Sequence, residues 1–207
     1  FASSPLIGGR ESAMILRIED LGRARVGTVM AAGELFRDLT DVYEMLVNWP
    51  VRLAREEPFY RRLFAAHQVR RVLDVACGTG HHAAMFHRWG LAVEGADISP
   101  AMIERARRQH GQSPNLRWVV RGFDQASGAD GAFDAAICAG NSLALAADRP
   151  MVQRTIERML AAVRPGGIVL VHIVNLWRLP DGPCVWQKCQ RADLAEGETL
   201  IVKGVHR

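Results

Sequence analysis

The sequence predicts an α/β protein built on a doubly wound, mostly parallel sheet with helices on both faces. Three observations predict it. Short apolar segments alternate with helix-patterned ones from about residue 69 to 175. The apolar segments are near-continuous Val, Ile, Leu and Ala, as strands covered on both faces are. A glycine turn, Gly78-Thr79-Gly80, joins the first of them to a helix.

Taken in order, residues 69–76 form the first strand and 81–89 the helix after the glycine turn. Residues 91–96 are the second strand. Ser99-Pro100 opens the next helix, with proline at the first helical position, and it runs to about His110. Strands follow at 116–120 and 133–139. Asp148-Arg149-Pro150 starts a helix to Val163 that Pro165-Gly166-Gly167 breaks, and 168–174 is the fifth strand. Ahead of this core, residues 1–68 read as a helical extension, because Leu35, Leu39, Val42 and Leu46 recur at helical steps. Behind it, 185–189 and 200–205 flank Glu196-Gly197-Glu198 as an antiparallel, hairpin-like addition. Three domains are therefore expected: 1–68, 69–175 and 176–207.

Composition narrows the function classes. The 207 residues are 49% hydrophobic and 23% charged, which suits one domain with a real core and excludes a disordered chain. The net charge is +4, but the basic residues are scattered, and of 26 only Lys188 and Lys203 are lysines. Without a basic run, nucleic acid is set aside as a partner. Cys77, Cys138, Cys184 and Cys189 form no C-x-x-C pair and have no histidine at zinc-ligand spacing, so no metal site is expected. Free thiols in apolar runs point to a reducing, cytoplasmic compartment. No apolar stretch reaches the ~20 residues of a membrane span, and no signal-peptide pattern opens the chain. Its first residue is Phe1 rather than Met, as in a processed chain or one with residues preceding it.

The segment from Asp74 to Gly80 carries the chemistry. A buried strand, then glycines, then a helix places bare backbone where a ligand can lie against it, and the helix N-terminus offers unpaired N–H groups. Asp97, 19 positions beyond Gly78 at the end of the second strand, can accept both ribose hydroxyls of an adenosine. Gly78-Thr79-Gly80-His81-His82-Ala83 also satisfies the dinucleotide fingerprint, so a nicotinamide-dependent oxidoreductase is the rival reading. Three features weigh against it. Asp74 inside the strand can orient the loop and receive an amino group. Ile98 and Met102 can sandwich an adenine. A Tyr-x-x-x-Lys dyad is excluded, since the tyrosines are Tyr43 and Tyr60.

The runs V-L-D-V-A-C-G-T-G, G-A-D-I-S-P-A-M-I-E-R-A-R, F-D-A-A-I-C-A-G-N-S-L and V-R-P-G-G-I-V-L-V, in that order over about residues 69–174, resemble the Rossmann-like class I methyltransferases that use S-adenosylmethionine (SAM). The resemblance implies SAM as cofactor. It implies that Asp74, Ala76, Gly78 and Gly80 line the methionine end, and that Asp97 and Ile98 hold ribose and adenine. Gly122-Phe123-Asp124 falls where the family meets the adenine edge. Within the superfamily, Cys138-Ala139-Gly140-Asn141-Ser142 and the stretch from Tyr43 to Leu53 are similar to the glycine/sarcosine N-methyltransferase group. That likeness implies an N-terminal lid of Tyr43, Trp49 and Arg52, with Arg52 reaching the SAM carboxylate. A guanidinium fork matches a carboxylate. The same likeness implies that Cys138 joins the cofactor-lining set and that Asn141 lies near the transferred methyl or the acceptor.

Two departures bear on the acceptor, a small molecule methylated on N or O. Leu143-Ala144-Leu145-Ala146 stands where the group ordinarily carries a histidine. Val174 stands before Asn175 where the group has an arginine that grips the amino acid's carboxylate. A less charged or larger acceptor than glycine is therefore expected. A hydroxyl acceptor needs a base, and His81, His82 and His172 are the candidates, with His172 near the functional end of strand five singled out. The group has further strands after its fifth that residues 176–207 do not supply. A SAM-binding subunit without catalysis stays open as an alternative, as does a homo-oligomer.

Overall fold

The computed structural model describes residues 10–17, 29–31, 40–127, 130–175, 185–194 and 197–206. In chain order the elements are β1 (Arg10–Arg17), β2 (Val29–Ala31), α1 (Thr40–Leu46), α2 (Trp49–Ala66), β3 (Arg71–Asp74), α3 (His81–Arg88), β4 (Ala92–Asp97), α4 (Pro100–His110), β5 (Leu116–Val120), β6 (Phe133–Cys138), α5 (Arg149–Ala162), β7 (Val163–Val171), β8 (Val185–Leu194) and β9 (Gly197–His206). They group into two compact units, Val47–Ile173 and a second made of Phe1–Leu46 with Val174–Arg207.

The first unit is the expected α/β layer structure. Its sheet has the order β5-β4-β3-β6-β7, and every pairing is parallel. Alternate residues of β3 face opposite cores. Val72 joins Tyr60, Phe64, Phe86 and Ile103 from α2, α3 and α4, whereas Leu73 joins Met159 and Ala162 from α5. Period-two alternation with both faces apolar is why these strands read as unbroken hydrophobic runs. Asp134 pins the opposite end of the sheet: its Oδ2 accepts the N–H groups of Arg70 and Arg71 (2.8 and 2.9 Å), and its Oδ1 takes Arg164 Nε at 2.5 Å.

From β3 the chain runs outward through β4 to β5, then crosses back to β6 on the other side of β3. The strand order thus reverses between β3 and β6, and the carboxyl ends of those two strands form the crevice where open α/β sheets bind ligands.

The second unit holds a four-stranded antiparallel sheet, order β2-β1-β9-β8. The expected hairpin of residues 185–205 is present as β8 and β9, but β9 pairs on its other side with β1, Arg10 opposite His206. Here the structure differs from the helical expectation for residues 1–68. Arg10–Arg17 and Val29–Ala31 are strands, and helix begins only at Thr40. Leu35 and Leu39, on which the helical spacing rested, lie outside the described residues.

Candidate functional site

The glycine loop leaves β3 and turns into α3 at Gly80, whose φ of 85° is left-handed and makes it the N-cap. Gly78 also has positive φ, 55°. Loop and neighbouring strand are clasped together by Asp97 at the end of β4. Its Oδ2 accepts Gly78 N–H and its Oδ1 accepts Ser99 N–H, both at 2.9 Å. Ser99 is itself the cap of α4, its Oγ accepting Met102 N–H at 3.3 Å. The Ile98 N–H adds a further favourable contact, and a carboxyl with about four acceptor positions keeps room for another donor.

Asp74 ends β3 fully buried. Burial pushes its carboxyl up to about 7; the Ala76 N–H bond opposes that rise, the nearby Asp97 charge adds to it and Arg52 lowers it. Its Oδ1 has no hydrogen-bond partner among the described residues, a costly state for a buried acceptor. Asp97 is also raised, chiefly by burial.

Helix α2 brings a cation to this end. Asn48 starts it, the side chain accepting Val51 N–H at 3.3 Å with Pro50 in the first turn. Arg52 Nε donates to Glu56 Oε1 at 2.9 Å, and its guanidinium lies 5.2 Å from the Trp49 ring centroid. The other end of the fork reaches the carboxyl end of β6, since a Cβ on Gly140 would sit 3.4 Å from Arg52 Nη2. Trp49 is buried and stacks on His81 with centroids 4.3 Å apart.

Beyond β6, Asn141 adopts a left-handed φ of 71°, and its N–H donates to the His172 carbonyl at 3.0 Å. His172 N–H in turn donates to Cys138 C=O at 2.9 Å. The structure therefore brings the two candidate catalytic residues side by side. It places His172 one residue past the end of β7 and exposed, not within a strand as expected.

The remaining expected residues divide. Ile98 is 60% exposed beside Asp97 and offers an apolar face, whereas Met102 is 2% exposed and belongs to the core. Gly122 is held in a turn by Gln125 Oε1, Phe123 packs into the α5 core, and Asp124 pairs with Arg154 at 3.7 Å. Cys138 is buried, and burial followed by the Asp74 charge pushes its thiol up to about 12, so it is a packing residue and no nucleophile. Gly80 has a structural reason that spacing concealed: a Cβ there would lie 2.5 Å from the Trp118 ring. Tyr43 is half-buried on α1, in the other unit.

One candidate base is corrected. His82 is buried among Trp49, Tyr60 and Phe86, with Nε2 2.6 Å from Glu56 Oε2. Burial lowers its pKa despite the Glu56 hydrogen bond, so the neutral ring donates to Glu56 and cannot serve an acceptor. Glu56 was invisible to sequence reasoning, because Arg52 and Glu56 at i, i+4 read only as a surface pair.

Among the described residues no group of His, Cys, Asp and Glu is arranged to hold a metal ion, and no helix is long and apolar enough to cross a membrane. A void of about 10 Å³ beneath the Gly122 turn, lined by Leu73, Val75, Phe123 and Met159, suits one water and not a nucleotide.

The methyltransferase domain profile matches residues 72–167. A glycine/sarcosine N-methyltransferase of Parasynechococcus marenigrum is 33% identical over 151 residues, covering 72% of this chain and 54% of the relative. The human glycine N-methyltransferase is 30% identical over 172 residues, covering 73% and 57%. The chain thus spans about half the length of the curated relatives it matches. Among solved structures, a SAM-bound amino pentose methyltransferase of Micromonospora echinaspora superposes with TM-score 0.61 at 21% identity, covering 80% of this chain and 82% of that one. A sugar N-methyltransferase of Streptoalloteichus gives 0.62 at 20%, covering 88% and 84%. These likenesses carry the same parallel core, and with the sequence matches they show that the chain belongs to the class I methyltransferase superfamily, near the glycine/sarcosine N-methyltransferase-like group.

Proposed function

We propose that this chain binds SAM at the carboxyl ends of β3, β4 and β6 and transfers its methyl group to nitrogen or oxygen of a small molecule. The observation that carries this is Asp74, a fully buried carboxyl with an unpartnered oxygen, beside the Gly78–Asp97 clasp and facing the charge of Arg52. The donor set fits the group. Asp74 Oδ1 would take its amino group, the Arg52 fork its carboxylate, the spare lone pairs of Asp97 the ribose hydroxyls, and Ile98 the adenine face. When bound, SAM supplies a methyl on a sulfonium with a good leaving group.

The work left to the protein is placement. Alignment of two reactants in a fixed geometry is worth up to ~7–11 kcal/mol in well-oriented systems, and no covalent help is needed for such a displacement. Asn141, held by its backbone bond to His172, orients the acceptor. A hydroxyl acceptor has His172 to hold its proton, whereas an amine must arrive neutral. The relatives act on glycine and sarcosine by name, and of the two structural neighbours one is named for an amino pentose and the other as a sugar N-methyltransferase. Val174 before Asn175 offers no cation for a zwitterion's carboxylate, which favours a less charged acceptor such as a neutral amine or hydroxyl compound. The buried thiols of Cys77 and Cys138 support a reducing, cytoplasmic setting.

Titration calorimetry with SAM and with NAD tests the reading. SAM binding with no NAD heat is expected; NAD binding without SAM binding would overturn it.

A further inference from the structure

Residues 52, 56 and 60 share one face of α2, and that face meets α3 at His82 and Phe86. Tyr60 meets His82 and Phe86 at ring distances of 5.9 and 5.0 Å. Between them the Glu56 carboxylate makes two bonds in opposite directions. Oε1 accepts from Arg52 Nε at 2.9 Å and Oε2 from His82 Nε2 at 2.6 Å. His82 is the second residue of α3, so it is fixed to the helix that the glycine loop opens. Burial works to raise Glu56, but its bond from His82 and the Arg52 charge outweigh that and hold it at about 2. Glu56 is therefore a carboxylate throughout the physiological range.

A guanidinium on a three-carbon stem has several rotamers, and an unanchored fork loses affinity by having to be ordered on binding. Here Nε is taken by Glu56, and the Nη atoms are left at the carboxyl end of β6, 3.4 and 3.7 Å from where a Cβ on Gly140 would be. We propose that Glu56 is a positioning residue for the cofactor site: braced by His82, it locks the Arg52 fork in the orientation that receives the cofactor's carboxylate. The inference rests on the SAM reading above. It makes the affinity for SAM depend on a side chain that touches none of it.

A double-mutant cycle read by SAM calorimetry tests this, with circular dichroism as the folding control. Glu56→Ala is expected to weaken SAM binding about tenfold. In an Arg52→Ala background the same change is expected to cost less than about twofold, because there is no fork left to hold. Glu56→Gln restores most of the affinity, since the amide oxygen takes Arg52 Nε while His82 changes tautomer to accept the amide N–H. Should Glu56→Ala not fold, Glu56→Asp, too short to reach both partners, takes its place in the cycle. Equal losses from Glu56→Ala with and without Arg52, or no rescue by glutamine, would overturn the positioning role. SAM failing to bind the unmutated protein would instead overturn the functional reading, and unchanged affinity in Arg52→Ala alone would remove Arg52 from the site.

Discussion

Asp97 and Asp74 do different work with the same functional group. Asp97 is a clasp: it accepts Gly78 and Ser99 N–H groups and still has lone pairs to offer a ribose. On the SAM reading, replacing it by alanine removes both the loop anchor and the proposed ribose acceptor, so SAM affinity is expected to fall more than about tenfold in calorimetry, and a change within about twofold would refute the ribose role. Asp74 is a waiting acceptor, raised to about 7 chiefly by burial. An ammonium group prefers the ionised carboxyl. SAM affinity should therefore climb as pH rises from about 5.5 to 7, by at most about tenfold per unit. Asp74→Asn should bind weakly and flatten that pH profile, which calorimetry at three pH values checks. The residues near the glycine turn were legible from sequence because strand, turn and partner carboxylate are set by short, local spacings. His82 was not, because its burial depends on α2, whose Glu56 is 26 residues away.

Elements are held in this site by close approach. The ring of Trp118 on β5 fills the space that side chains on Gly80 and Gly95 would need, with Cβ positions 2.5 and 2.7 Å from it, and its Nε1 donates to Gly111 C=O at 2.6 Å. An alanine at Gly80 meets both this ring and a left-handed φ of 85°. Gly80→Ala is expected to destabilise the protein by about 3 kcal/mol, visible as a lowered urea midpoint, with the slope of the transition unchanged. The turn at Gly78-Thr79-Gly80 was legible as a glycine turn from strand into helix, whereas the aromatic plug beneath it was not. A tryptophan in a strand-like run carries no sign of which glycine it will touch.

For the whole molecule the buried carboxyls set the pH response of stability. Asp74 has a native pKa above its unfolded value, so the native state keeps a proton that the unfolded chain releases. Its stabilising contribution is full below about pH 4 and is lost as pH rises to about 7, a change of order 4 kcal/mol. Asp97 acts in the same direction. Glu56 has the opposite sign: held at about 2, it stabilises above pH 4.5 and that contribution goes as pH falls through 2. His82 shares the sign of Glu56, because burial lowers its pKa and the unfolded chain binds a proton that the native ring refuses as pH falls below 6.5. Urea unfolding at about pH 4.5 and 7.5 therefore isolates the Asp74 part as a difference: the stability change between the two values should shift in favour of the higher pH in Asp74→Asn, and an unshifted change would remove Asp74 from the pH response.

The sequence by itself determined the alternation of strand and helix, the glycine turn, the partner carboxylate Asp97 and the buried character of the parallel strands. Each depends on periodicity or spacing within a few tens of residues, where local backbone geometry leaves little choice. Only the tertiary structure decided that Arg10–Arg17 is a strand beside Gly197–His206, that one carboxylate on α2 bridges Arg52 and His82, and that Asn141 and His172 meet. Those pairings join segments distant in the chain, and which side chains meet is set by how apolar faces pack, a global condition that no local pattern encodes.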